Sequence, residues 1–266
     1  MDLGLNGHVA VVSGGSRGIG KAAAQALAAE GAHVALIARD LAVAQAAADE
    51  IAATSGRNVR AYAADTGDDG AVRSAFDRIA ADFGRIDVLV NCAAQPGGQA
   101  PPLKFAEITR SAVDAEINVK VIGYLRCAQA AVPHMLRQGG GRIINISGLA
   151  ARSTGAAVGS MRNVAVAALS KNMADELGPQ GIVVVCVHPG ATRTEKTAGV
   201  IARQAQASGA SVAEVEQELA RRNALQRLID ASDIAHIVAF LASPKSLALH
   251  GESIGAGGGQ PGVIHY

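Results

Sequence analysis

The run Ser13-Gly14-Gly15-Ser16-Arg17-Gly18-Ile19-Gly20 could do chemistry through its backbone. Gly14, Gly18 and Gly20 at this spacing bring main-chain N–H groups close together with no Cβ in the way. A helical run, Lys21 to Ala29, follows at once and aims the positive end of its dipole at the same place. That combination suits a pyrophosphate, and it gains weight because a short apolar run, His8–Ser13, precedes it. A second apolar run ends about 20 residues later, the usual distance to the adenosine ribose. It closes in Ala38-Arg39-Asp40, with alanine where an NAD-selective site places an acid on the 2′-hydroxyl. Arg39 and Arg17 instead offer two guanidinium groups to a 2′-phosphate, so NADP(H) is the expected cofactor. NAD(H) is the lesser alternative, since Asp40 lies one place late.

These residues need a scaffold, and its pattern is plain: short β-branched runs, a glycine or polar break, then long alanine-rich stretches of helical period. Strands are expected at His8–Ser13, His33–Ala38, Val59–Ala63, Ile86–Asn91, Arg142–Ser147, Ile182–Val187 and Ser253–Ala256, with helices between them. Such alternation predicts an α/β, doubly wound, Rossmann-type three-layer sandwich with a seven-stranded, mostly parallel sheet. Ligands then bind beyond the carboxyl ends of the strands. A polar, charge-rich stretch over 195–222 interrupts the alternation and reads either as a substrate lid or as a solvated helix pair. With no linker or repeat in view, a single domain over 1–266 is expected.

A formal net charge of +1 leaves no basic surplus for nucleic acid or an anionic membrane, which points to a small-molecule substrate. No stretch reaches the roughly 18 uninterrupted apolar residues of a membrane span. The expected location is the cytoplasm. Cys92, Cys127 and Cys186 lie in apolar stretches without metal-like spacing, and they are expected to be buried thiols with no disulfide or zinc site.

From first strand to last the motifs resemble the short-chain dehydrogenase/reductase family. The glycine run is similar to that family's TGxxxGIG, with Ser13 for threonine. Asp65, beside Thr66, matches its adenine-contacting Asp, and Asn91-Cys92-Ala93-Ala94 stands where it has Asn-Asn-Ala-Gly. Pro189-Gly190-Ala191-Thr192-Arg193-Thr194 resembles its PGxxxT, whose backbone and threonine hold the nicotinamide carboxamide. The resemblance implies hydride transfer between nicotinamide and a carbonyl or alcohol by an Asn, Ser, Tyr, Lys group, in a homotetramer or homodimer. The long, broadly apolar helices over 111–138 and 158–177 suit such partners.

The family's Y-x-x-x-K is missing. The chain has Tyr62, Tyr124 and Tyr266; Thr66 and Ala128 follow the first two at the fourth place, and Tyr266 ends the sequence. Alignment of the following helix puts Gly159 at the tyrosine position and Asn163 at the lysine position. The family's serine aligns with Ser147 or with Gly148. Its asparagine falls on Asn118 by a forward count and on Lys120 by a count backward from Gly123 and Pro133. The expected catalytic group is therefore Ser147, Lys120, Asn118 and Asn163, with Lys120 supplying the charge that the missing lysine would bring. His188 reads as structural, while Tyr266 could reach a neighbouring subunit. An oxidoreductase with a rearranged proton-transfer group is the leading expectation; a catalytically silent cofactor-binding partner or sensor and a non-redox lyase are the alternatives.

Overall fold

The computed structural model describes residues 1–95, 102–262 and 264. In chain order it forms β1 (Val9–Ser13), α1 (Gly18–Ala29), β2 (His33–Ala38), α2 (Leu41–Ser55), β3 (Val59–Ala63), α3 (Asp69–Phe83), β4 (Val88–Asn91), α4 (Arg110–Glu116), α5 (Gly123–Arg137), β5 (Gly141–Ile146), α6 (Ala157–Leu177), β6 (Ile182–Pro189), β7 (Thr192–Arg193), α7 (Thr197–Ser208), α8 (Val212–Ala220), β8 (Ile229–Asp230), α9 (Ala231–Ala242) and β9 (Ser253–Ala256). Seven strands make one parallel sheet in the order β3-β2-β1-β4-β5-β6-β9. This is the doubly wound Rossmann-type architecture that the sequence pattern implies.

Every residue of β1 is buried, which is the signature of a parallel strand covered on both faces. The two-residue period of a strand explains where each side chain goes. Ala10, Val12, Val34 and Leu36 join a core with α1, α2 and α9 on one face. Val11, Ala35 and Ile37 point the other way, into a second core with α3, α5 and α6. Burying both faces fixes the register, because a slip of one residue would send each side chain into the wrong layer. The register sets Ser13 beside Asn91, so β1 and β4 end at the same level, where the strand order changes direction.

Strand limits differ from the sequence expectation by a residue or two at β1, β4, β5 and β6. Two elements are new. Residues Ile117–Ile122 form a π-helical turn joining α4 to α5, and β7 pairs with β8 in a separate two-stranded sheet. The 195–222 stretch folds as α7 and α8, which share a small apolar cluster of Ile201, Ala205, Val215 and Leu228. No helix among the described residues is long and apolar enough to cross a membrane.

Candidate active site

Beyond the carboxyl ends of β1, β4, β5 and β6 lies one crevice of about 1170 Å3. Its floor is the glycine turn, where the backbone leaves no room for side chains. A Cβ on Gly20 would sit 2.2 Å from the Gly14 carbonyl oxygen, and one on Gly14 would sit 2.8 Å from the Ala93 backbone. Gly14 (φ 67°) and Gly18 (φ 55°) also occupy the left-handed region that favours glycine. The turn is thus pressed against the end of β4, and the Gly14 amide donates to Ile37 O at the end of β2 at 2.8 Å. α1 begins there without a side-chain cap, but the Gly18 amide donates to both carboxylate oxygens of Glu195, at 3.0 and 3.1 Å.

Ser16, Arg17, Ile19 and Arg39 form one end of the wall, with Asp65 and Thr66 beside them. Arg17 and Arg39 are exposed. The next residue, Asp40, caps α2 by accepting from the Val43 amide at 3.2 Å. Pro189, Gly190, Thr192 and Thr194 also line the crevice, and Thr192 Oγ1 donates to Gly190 O at 3.1 Å.

Three of the four expected catalytic residues come together at the far end. Lys120 is only 5% exposed. Its Nζ donates to Ser147 O at 2.8 Å and to Asn163 Oδ1 at 2.9 Å. Ser147 Oγ donates to Asn163 O at 2.9 Å. The side chains of Lys120, Ser147 and Asn163 therefore form one buried polar unit linking the π turn, the end of β5 and α6. Burial pushes the Lys120 ammonium down to about 8, with repulsion from Arg162 adding to the effect. An ammonium has three N–H donors, of which these bonds use two, and Lys120 is among the residues lining the crevice.

Asn118 does not belong to this unit. It is exposed on the other side of the helix, donating to Gly67 O at 3.4 Å and accepting from Arg126 at 2.9 Å. The π turn lies where the forward and backward counts diverge, and within it Lys120 faces inward while Asn118 faces outward. Asn91 is also off the crevice wall. It is fully buried and donates to Asn145 Oδ1 at 2.9 Å; Asn145 in turn donates to Ser170 Oγ at 2.9 Å. Its place inside the sheet, between β4 and β5, makes it a positioning link to α6 and not a surface for a ligand.

The described tyrosines cannot replace the missing one. Tyr124 donates to Ile146 O at 2.9 Å within the core, and Tyr62 donates to Asp82 at 2.6 Å; burial raises both hydroxyls above their usual range. Tyr266 lies outside the described residues. His188 is buried, with Nδ1 at 3.1 Å from Gly148 O and Nε2 at 3.6 Å from Cys186 Sγ, which suits a structural role. All three cysteines are free thiols; Cys127 and Cys186 are buried, whereas Cys92 is partly exposed on the crevice wall. Burial pushes the Cys92 thiol up to about 12 against the pull of Lys120, so it stays protonated.

Two residues here escaped the sequence reading. Glu195 was visible only as one charge in the lid stretch. Arg162, beside Asn163, lines the crevice and pairs with Glu116 on the facing helix. Its only sequence signal was an arginine inside an otherwise apolar helical run.

A doubly wound sheet with a glycine turn at its switch point and a polar unit at the end of β5 defines a dinucleotide-fold enzyme class, and sequence comparison makes the family definite. The chain belongs to the short-chain dehydrogenase/reductase family. A family model described as enoyl-(acyl carrier protein) reductase matches residues 14–260. The short-chain reductase protein NovJ of Streptomyces niveus is 36% identical over 95% of this chain and 94% of that protein. L-sorbose reductase of Gluconobacter frateurii, solved with NADPH and L-sorbose, superposes with a TM-score of 0.93 at 26% identity, covering 99% of this chain and 100% of that one. YwfH, an NADPH-dependent reductase involved in bacilysin biosynthesis, superposes with a TM-score of 0.87 at 30% identity, covering 97% and 99%.

Proposed function

We propose that this chain is an NADP(H)-dependent oxidoreductase that reduces a carbonyl group on a small molecule, with Lys120 in the role of proton donor. The observation that carries this reading is the Lys120 ammonium, buried and held by Ser147 O and Asn163 Oδ1, with one N–H to spare. The cofactor fits the residues present. The glycine turn, Gly14, Gly18 and Gly20, would take the pyrophosphate; Arg17 and Arg39 the 2′-phosphate; Asp65, Thr66 and Ala93 the adenosine side; Pro189, Gly190, Thr192 and Thr194 the nicotinamide. Two structural relatives, L-sorbose reductase and YwfH, are themselves NADPH proteins. The reduced nicotinamide supplies the hydride when bound.

The chain's own residues handle the proton. The free N–H of Lys120 hydrogen-bonds the substrate oxygen and gives up its proton as negative charge grows there. An ammonium lowered to about 8 is still charged at neutral pH yet acidic enough to part with that proton. Asn163 and the Ser147 carbonyl fix Nζ in place, and the Ser147 hydroxyl ties α6 to the end of β5. Positioned acid catalysis of this kind contributes about 10²–10⁴-fold. On the same reading, residues 1–266 act as one cytoplasmic domain with α7 and α8 as substrate lid. The exposed apolar Ile122, Leu136, Met161 and Val164 on α5, the π turn and α6 form the contact of a homodimer or homotetramer.

The test follows NADPH consumption against a panel of carbonyl compounds, with binding read separately by cofactor fluorescence. Turnover that collapses in Lys120→Met while NADPH still binds supports the proposal. Binding without turnover of any compound would replace it with a silent cofactor-binding protein, and substrate loss at constant NADPH with a lyase.

A further inference from the structure

Among the described residues, three buried side-chain atoms make no hydrogen bond: Arg162 Nε, Asn223 Oδ1 and Gln260 Oε1. All three residues line the crevice that holds Lys120. Buried polar atoms are paired in about 90% of cases or more, so three leftovers among the residues lining one crevice call for an explanation, and a polar ligand is one.

Arg162 carries the charge among them. Its side chain is 13% exposed. Each hydrogen bond it makes uses Nη1, to Glu116 Oε2 and, at 3.5 Å, to Gln95 O. Glu116 thus holds the guanidinium from one corner and leaves the Nε edge without a partner. That edge belongs to a rigid planar fork whose parallel N–H groups match the two oxygens of a carboxylate. The local charge agrees. Lys120 and Arg162 lie close enough to repel each other, and Glu116 offsets one of the two cations. A positive surplus in a secluded crevice favours an anion over a neutral group of the same shape.

We propose that Arg162 anchors a carboxylate on the substrate, so that the preferred substrates are oxo acids and not neutral ketones. This rests on the reductase reading above, in which the substrate oxygen meets Lys120.

The experiment compares straight-chain oxo acids of graded chain length with their methyl esters, using purified enzyme and NADPH. The expected kcat/KM favours the acid by about 10- to 100-fold, mostly through KM, as charge-assisted hydrogen bonds of this kind contribute. Arg162→Met should erase the preference, and Arg162→Lys, a point charge without the fork, should restore only part of it. NADPH binding checks that the variants fold. In parallel, calorimetry follows the matching saturated carboxylates binding to the protein with NADP⁺. Acids and esters reduced alike by the wild type would overturn the anchor while leaving the reductase reading intact. If no carbonyl compound is reduced but carboxylates bind in an Arg162-dependent way, the reductase reading fails and the anchor stands. Absence of carboxylate binding to the wild type rejects the anchor whatever the variants do.

Discussion

Glu195 lays both carboxylate oxygens on the main-chain amide of Gly18, at 3.0 and 3.1 Å. That amide opens α1, where the helix dipole favours negative charge. A pyrophosphate needs the same position, so Glu195 and the cofactor compete for one donor, and their like charges repel. Removing the charge should therefore tighten cofactor binding. Glu195→Gln is expected to lower the NADPH Kd by about twofold to fivefold, the size of a charge effect at an exposed helix terminus. Fluorescence titration of the two proteins checks it; an equal or weaker affinity in the variant would show that the carboxylate is no rival.

Lys120 gives a pH dependence of definite sign. With Lys120 as the proposed proton donor, reduction would require the protonated ammonium, so kcat/KM should fall as pH rises through about 8. Stability should move the opposite way. The folded state holds this proton less firmly than the unfolded chain, so between about 8 and the ordinary 10.5 the unfolded chain binds more protons and folding gains as pH rises. Below that window the penalty of the buried charge is fully present. Lys120→Met should lose both the falling limb of activity and this share of the stability profile. Parallel pH–rate curves and thermal unfolding curves for the two proteins measure each, and a wild-type limb unchanged in Lys120→Met would assign the titration to another group.

Much of this was legible in the chain because the signals are local. The short β-branched runs of β1 and β2 and the glycine turn depend on neighbours in sequence, and the structure reproduces His33–Ala38 to the residue. Lys120, Ser147 and Asn163 were readable from motif positions, although the hydrogen bonds joining them were not. What escaped depends on distance in sequence. The Arg162–Glu116 pair spans helices 46 residues apart, and Glu195 reaches back 177 residues to Gly18. β7 and β8 are two residues each, too short for any period to show. The direction of the Asn91 side chain was not legible, because a polar residue at a strand end looks the same from sequence whether it faces a ligand or, as here, Asn145 inside the sheet.

Cofactor choice turns on Arg39 and the fate of its neighbour. Asp40 could have supplied the acid that binds an unphosphorylated ribose, but its carboxylate accepts from Val43 N at 3.2 Å and so caps α2. Arg39, exposed on the crevice wall, keeps a charge to offer. A guanidinium contact to a 2′-phosphate contributes about 1.5–3 kcal/mol, whereas a 2′-hydroxyl gains little from it. Arg39→Ala should therefore weaken NADPH binding by about 10- to 100-fold and leave NADH nearly unchanged, narrowing the preference between them. Arg17→Ala should act in the same direction but less, because the turn's main-chain amides continue to hold the pyrophosphate shared by both cofactors. Titrating both dinucleotides against the wild type and each variant separates the outcomes. Equal losses for NADPH and NADH would mean that these arginines serve the pyrophosphate and not the 2′-phosphate.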